Sequence, residues 1–185
     1  MSHPNLLQQQ NAALIVIDIQ EGFRPIIADF DKIAEQAAKM VRVCQLLAVP
    51  VFVTEQYPKG LGNTAIEIRN LFDDGNSIFE KTTFSSCGAA AFIAGLTDRG
   101  IKQVMICGLE THICVSQTAH DLLDRGFQVH VLSDFVTSHF EYNRLAGLAK
   151  MQRSGVIESS IEMALFELMR DAKHEKFKEI QALIK

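Results

Sequence analysis

Three residues of complementary chemistry stand at or just beyond the ends of short apolar runs. Asp18 closes "AALIVID", Lys81 follows "SIFE", and Cys114 comes a few residues after "QVMICG". A thiol becomes a strong nucleophile once deprotonated, a carboxylate can take its proton, and an ammonium beside them favours the charged forms of both. Position adds to the argument for Cys114. It falls in the first turn of a helix starting near Thr111 or His112, where unpaired backbone N–H groups and the dipole's positive end favour a thiolate. A cysteine alone in such a place is more often a small buried core residue. The company of Asp18 and Lys81 turns the reading towards catalysis. Asp18 could merely cap a turn. It follows an unbroken apolar run, however, so its carboxylate starts at the edge of the core and needs a cationic or hydrogen-bonding partner, which Lys81 can supply.

The elements that must position these groups alternate. "AALIVID" (Ala12 to Asp18) is an unbroken apolar run, as in a strand covered on both faces. "DKIAEQAAKMVRVCQLLA" (Asp31 to Ala48) repeats apolar residues at Ile33, Ala37, Met40, Val41, Cys44 and Leu47, a helix with one buried face. "PVFVTE" reads as a second strand and "SIFEK" as a short third. "GAAAFIAGLTDRG" is helical and closes on Gly100, "QVMICG" is a strand, and the Cys114 helix ends before Gly126. "QVHVLS" is another strand. From about Phe140 the chain is mostly helical, with a short last strand around "SGVIESS". Strands separated by helices of this length imply parallel crossovers. The expectation is one α/β domain over residues 1–185, a three-layer Rossmann-like sandwich with a mainly parallel sheet and helices on both faces. In such sheets ligands bind beyond the carboxyl ends of the strands, which is where the unusual polar residues gather.

Composition narrows the function. At 185 residues, 48% hydrophobic and 22% charged, the chain suits a single globular domain. A net charge of −4 without a Lys/Arg stripe lacks the electrostatic footprint of nucleic-acid binding. The polar start "MSHPNLLQQQ" does not read as a secretory signal, and no run is long enough for a membrane span. A cytoplasmic protein is expected. The four cysteines, Cys44, Cys87, Cys107 and Cys114, form no C-x-x-C pair, so all should be free thiols. Cys44 and Cys107 read as core residues. The amphipathic C-terminal stretch reads as a helix pair packing on its own domain or, alternatively, as an oligomer contact.

"LIVIDIQEGF", "FEKTTFSS" and "ICGLETHICVSQTAHDLLDRGF", in this order and spacing, resemble the isochorismatase-like cysteine hydrolases, the superfamily that includes nicotinamidase and N-carbamoylsarcosine amidohydrolase. "TEQYPKGLG" and the C-terminal helices look most like the isochorismatase domain-containing branch. The resemblance implies a hydrolase of small amides or related compounds, acting on C–N bonds other than peptide bonds. Cys114 would be the nucleophile, Asp18 the base and later the acid, and Lys81 the charge that holds both ionised. It also implies a cis peptide at Leu109–Glu110, with backbone N–H groups of Glu110 and Cys114 forming the oxyanion hole. A homo-oligomer acting on a small-molecule substrate is expected on the same ground.

The remaining candidates carry less. Gln20, Phe23, Tyr57 and Phe84 lie near the three motifs and could shape a small, partly aromatic pocket. His112 precedes Cys114 by two residues, so on a helix the side chains diverge by about 200°, and a Cys–His dyad is rejected. Cys87 flanks the site. "KGLGNT" lacks the full dinucleotide fingerprint, so no cofactor is expected. Family members that bind a metal carry an Asp and His residues after the second strand, whereas "VTEQYPKGLGN" has no His. No metal is expected, and nicotinamide becomes a poor substrate candidate. Isochorismate is also disfavoured, because its vinyl ether can be cleaved without a thiol. Two other readings stay open: a catalytically silent protein-binding module, and a thiol redox sensor with Cys87 or Cys107 resolving Cys114.

Overall fold

The computed structural model describes residues 3–72 and 78–184. Its centre is a six-stranded sheet whose neighbouring pairs are all parallel. In chain order the elements begin with β1 (Ala12–Ile17), α1 (Phe30–Leu46), β2 (Val51–Gln56), α2 (Pro58–Leu61), α3 (Ile66–Arg69) and β3 (Ile78–Lys81). They continue with α4 (Ala90–Asp98), β4 (Gln103–Leu109), a π-helical turn over Thr111–Val115, α5 (Ser116–Asp124) and β5 (Gln128–Thr137). The chain closes with α6 (Glu141–Arg153), β6 (Ile157–Ser159), α7 (Ile161–Met169) and α8 (Phe177–Ile184). Ser77, the first residue of the expected third strand, lies outside the described residues.

The strand order is β3-β2-β1-β4-β5-β6. The order reverses between β1 and β4, the switch point where doubly wound sheets open a crevice for ligands. Every residue of β1 and β4 is buried. Because alternate strand residues face opposite sides, β1 feeds two cores. Leu14 and Val16 join Met105 and Cys107 beneath α1, α7 and α8. Ala13, Ile15 and Ile17 join Val104 and Ile106 beneath α4, α5 and α6. Burying each Leu, Ile or Val in this way is worth about 1.5–3 kcal/mol. The two strands therefore anchor both layers and leave their carboxyl ends as fixed points.

Two details bring those ends together. Gly108 adopts φ 123°, and a Cβ there would lie 2.0 Å from the carbonyl oxygen of Ile17, so only glycine lets β4 run this close to the end of β1. Further along, β5 advances five residues, Val131 to Val136, while β4 advances two, Ile106 to Gly108. The extra length carries Asp134, whose carboxylate accepts the N–H of Ile161 at the start of α7. In the C-terminal pair, Ile180 of α8 is fully buried in the α1 core, so the tail's inner face packs on its own domain.

Candidate active site

Asp18 follows β1 directly. Its backbone sits at φ 53°, a left-handed conformation uncommon for a residue with a side chain, and its N–H donates to the Thr54 carbonyl at 3.1 Å. The carboxylate is 1% exposed and accepts from two sides: the Thr54 hydroxyl reaches Oδ1 at 2.7 Å and the Lys81 ammonium reaches Oδ2 at 2.6 Å. Lys81 ends β3, with no exposed side-chain surface. Its remaining capacity goes to Gln56 Oε1 at 2.8 Å and to the carbonyls of Phe84 at 3.0 Å and Thr83 at 3.3 Å. An ammonium taken wholly out of water needs this kind of complete shell.

A run of buried hydroxyls backs the carboxylate. Thr118 of α5 donates to Ser86 Oγ at 3.2 Å, Ser86 donates to Thr54 Oγ1 at 3.5 Å, and Thr54 donates to Asp18. The Ser86 N–H closes on Thr118 Oγ1 at 2.9 Å. Thr54, Ser86 and Thr118 are not candidates from the sequence, and Gln56 stands out there only as a polar residue closing β2. Single Ser and Thr residues inside apolar runs carry no pattern there, and β2 ending in Glu55-Gln56 was the one available hint.

Cys114 is 6% exposed, inside the π-helical turn. The Glu110 carbonyl accepts the N–H of Ile113 at 3.0 Å and of Val115 at 3.3 Å, bonds that bracket Cys114 on either side. The Leu109–Glu110 peptide bond is cis. Asp18 and Lys81 are the charged neighbours of the thiol, and their charges act on it in opposite directions. The net result corrects the thiolate expected from helix position. Burial, then the Asp18 charge, push the thiol up to about 12, against a smaller opposing pull from Lys81. The dipole argument left out the cost of desolvating the anion. At neutral pH burial therefore favours the thiol form of Cys114.

The other cysteines differ in setting. Cys87 is pushed up to about 11 by burial, with Arg125 and Asp121 as its charged neighbours. Cys107 is fully buried in the α1 core, on the other side of the sheet from the core that holds Cys114, and it cannot resolve an oxidised Cys114 without unfolding. Cys44 shares the Cys107 core, so both are packing residues.

The four expected pocket residues divide in two. Gln20 is fully buried. Its amide donates to the carbonyls of Gly62 at 2.6 Å and Gln56 at 3.1 Å and accepts the Gln56 N–H at 2.7 Å. With both amide hydrogens engaged, Gln20 is a strut that ties the Asp18 loop to the end of β2, not a ligand contact. Phe23 packs, partly buried, against the α1 core. Tyr57 and Phe84 are each 54% exposed and are tied by their backbones to Lys81: Tyr57 N–H donates to the Lys81 carbonyl at 2.8 Å, and the Phe84 carbonyl accepts from Nζ. A cavity of about 430 Å³ beside them is lined by Tyr57, Lys59, Glu80, Lys81, Thr83 and Gly88, among others; Asp18 and Cys114 are not in its wall. His112 turns Nδ1 to the Ser138 hydroxyl at 3.1 Å. Among the described residues, no group of three or more His, Cys, Asp or Glu side chains could hold a metal ion, and no helix is long and apolar enough to cross a membrane.

A parallel 3-2-1-4-5-6 sheet with a buried acid, ammonium and thiol at its switch point defines an α/β protein of hydrolase-like fold. The chain belongs to the isochorismatase family, whose Isochorismatase domain model matches residues 12–162. It is 44% identical over 177 residues to the mouse isochorismatase domain-containing protein 2A, a match covering 95% of this chain and 84% of that one. A solved structure described as the MAR1 ribonuclease of Caenorhabditis elegans superposes with a TM-score of 0.89 at 36% identity, covering 97% of this chain and 92% of that one. The Escherichia coli YcaC product, described as an octameric hydrolase of unknown specificity, shares the fold with a TM-score of 0.90 at 21% identity, covering 100% of this chain and 91% of that one.

Proposed function

We propose that the protein is a cysteine hydrolase that cleaves a small amide or related carbonyl compound through a thioester on Cys114. Asp18 takes the thiol proton as sulfur attacks the carbonyl carbon, and the oxyanion is met by the N–H groups of Glu110 and Cys114. The C–N bond then breaks and the leaving amine collects the proton from Asp18. Water, deprotonated by the same carboxylate, releases the acid and restores the thiol. Lys81, bonded to Asp18 Oδ2 at 2.6 Å, holds the carboxylate in place and steadies the thiolate as it forms. The observation that carries this reading is the fully buried 2.6 Å contact between Lys81 and Asp18, with both groups coupled to the Cys114 thiol. A thiol pushed up to about 12 fits a proton that moves during attack rather than before it. Tyr57 and Phe84, both exposed and bonded through their backbones to Lys81, are proposed to meet the substrate. The setting is cytoplasmic and the working form a homo-oligomer, as the octameric description of the E. coli neighbour supports.

The test uses p-nitrophenyl acetate, an activated ester that reports on acyl transfer without knowledge of the natural substrate. Intact-mass spectrometry should find a transient acetyl group on Cys114, absent in Cys114→Ala and formed at least about 100-fold more slowly in Asp18→Asn. Acetylation that ignores Asp18 or settles on other residues would overturn the mechanism. A ribonuclease reading rests on the description of the C. elegans neighbour. A net charge of −4 offers little attraction for phosphates. RNA cleavage by wild type with no acylation at Cys114 would favour it instead.

A further inference from the structure

The turn that carries Cys114 is fastened side chain by side chain to a segment the reaction does not use. Three consecutive residues, Glu110, Thr111 and His112, reach three consecutive residues that begin at the last pair of their strands, where Leu109 of β4 lies opposite Thr137 of β5, and run on past it. Thr111, fully buried, donates its hydroxyl to the Thr137 carbonyl at 3.0 Å. His112 Nδ1 meets the Ser138 hydroxyl at 3.1 Å. The Glu110 carboxylate accepts the His139 N–H at 2.8 Å. The His139 ring then crosses to the loop after Asp18, where Nδ1 lies 2.8 Å from the Ile26 carbonyl; a carbonyl only accepts, so Nδ1 carries the hydrogen. On the opposite side α6 presses on the same turn. A Cβ on Gly147 would come within 3.0 Å of the His112 Cα and the Thr111 carbonyl oxygen.

We propose that residues Thr137–His139 form a clamp that positions the Glu110 N–H as an oxyanion donor, with Thr111 and the Glu110 side chain as its positioning residues. This rests on the acyl-transfer reading above. A short irregular turn has no ladder to hold it, and a donor must be held within a few tenths of an ångström of its ideal distance, about 2.7–3.1 Å from the developing oxyanion, to act on it. Side-chain bonds at three successive residues supply the missing constraint. His139 extends the clamp to the loop that follows Asp18, so the acid and the donor share one frame.

The experiment compares two reactions of the same sulfur in the full-length protein. In acetylation by p-nitrophenyl acetate the S–C bond forms, the ester C–O bond breaks and p-nitrophenolate leaves, through a tetrahedral oxyanion. In thiolation by methyl methanethiosulfonate the sulfur attacks the methylthio sulfur and methanesulfinate leaves, and no carbonyl oxyanion arises. Thr111→Val and Glu110→Ala should slow acetylation of Cys114 about tenfold or more while thiolation stays within about twofold of wild type. The conservative Thr111→Ser and Glu110→Gln keep a donor and an acceptor in place and should restore acetylation. Equal slowing of both reactions would mean general loosening of the site, and unchanged acetylation would mean the clamp holds nothing that matters; either overturns the proposal. Wild type that is never acetylated on Cys114 would instead overturn the acyl-transfer reading on which it rests.

Discussion

The two ends of the sheet solve the same problem by different means. At the amino end, Gln103 opens β4 and its side chain closes the N-terminal segment: Oε1 accepts the Gln8 N–H at 2.7 Å, while Nε2 donates to the Leu6 carbonyl at 3.1 Å and to Gln128 Oε1 at 2.6 Å. Nearby His130 is buried, with Nε2 at 3.2 Å from Gln128 Oε1 and Nδ1 without a partner among the described residues, and burial holds the imidazole down to about 4, so it too is neutral at pH 7. At the carboxyl end the buried groups are Asp18 and Lys81, an ion pair in contact at 2.6 Å. Neutral amides can therefore seal an end of this sheet, and the fold itself does not call for an ion pair. Replacing such a pair by apolar groups often leaves stability unchanged or improves it. Folding alone therefore gives no reason for its presence at the switch point, which agrees with the proton-transfer role proposed above.

The largest expected effect comes from breaking that pair on one side. Lys81→Met should lower unfolding free energy by about 3–5 kcal/mol, because it leaves Asp18 buried and uncompensated. Urea denaturation at neutral pH measures it. The double variant Asp18→Asn, Lys81→Met should recover much of the loss, and no recovery would mean that the ammonium stabilises the fold by contacts other than Asp18.

The amino end supplies a smaller, pH-dependent effect. His130 stays neutral when folded down to about pH 4, whereas the unfolded chain takes up a proton near 6.5. Between those values the unfolded state binds more protons, so stability falls as pH falls, by about 1–3 kcal/mol over the window. Denaturation of His130→Leu against wild type at pH 4.5 and 7 should show this dependence removed in the variant. A dependence of the same size in both proteins would assign it to other groups.

Smallest is the loss of one neutral strut. Gln103→Ala should cost about 1–2 kcal/mol and speed amide hydrogen exchange at Gln8 and Leu6 ahead of β1. Exchange as slow as in wild type would show that the segment is held from elsewhere, for instance by the Leu7 N–H donated to Glu167 at 2.9 Å.

The sequence made much of this legible, and the omissions have physical causes. Unbroken apolar runs marked β1, β2 and β4, and the helical period marked α1, because burial on two faces or on one leaves a periodic trace. The short helices α2 and α3 span four residues each, too few for any period, and their backbones follow from neighbours such as the Glu55 carboxylate, which holds Thr64 at 2.6 Å. β5 runs past the expected "QVHVLS" because the polar Ser133 and Asp134 interrupt its apolar pattern. Asp18 and Lys81 were readable as charges at the ends of strands. The ionisation of Cys114 was not, since desolvation depends on which side chains close over the sulfur. Gln20 misled for a related reason: an amide beside the acid looks like a ligand group until its partners are known.

The empty space at Gly108 has a mechanical consequence. Any side chain there would have to push the Ile17 carbonyl away, and Ile17 is bonded directly to Asp18. The displacement would pass directly into Asp18, while Glu110, two residues beyond Gly108 and just past the end of β4, would be pushed the other way. Spacing at the switch point is thus gauged by two backbones in contact, and a hydrogen atom at one position sets the clearance between the ends of β1 and β4.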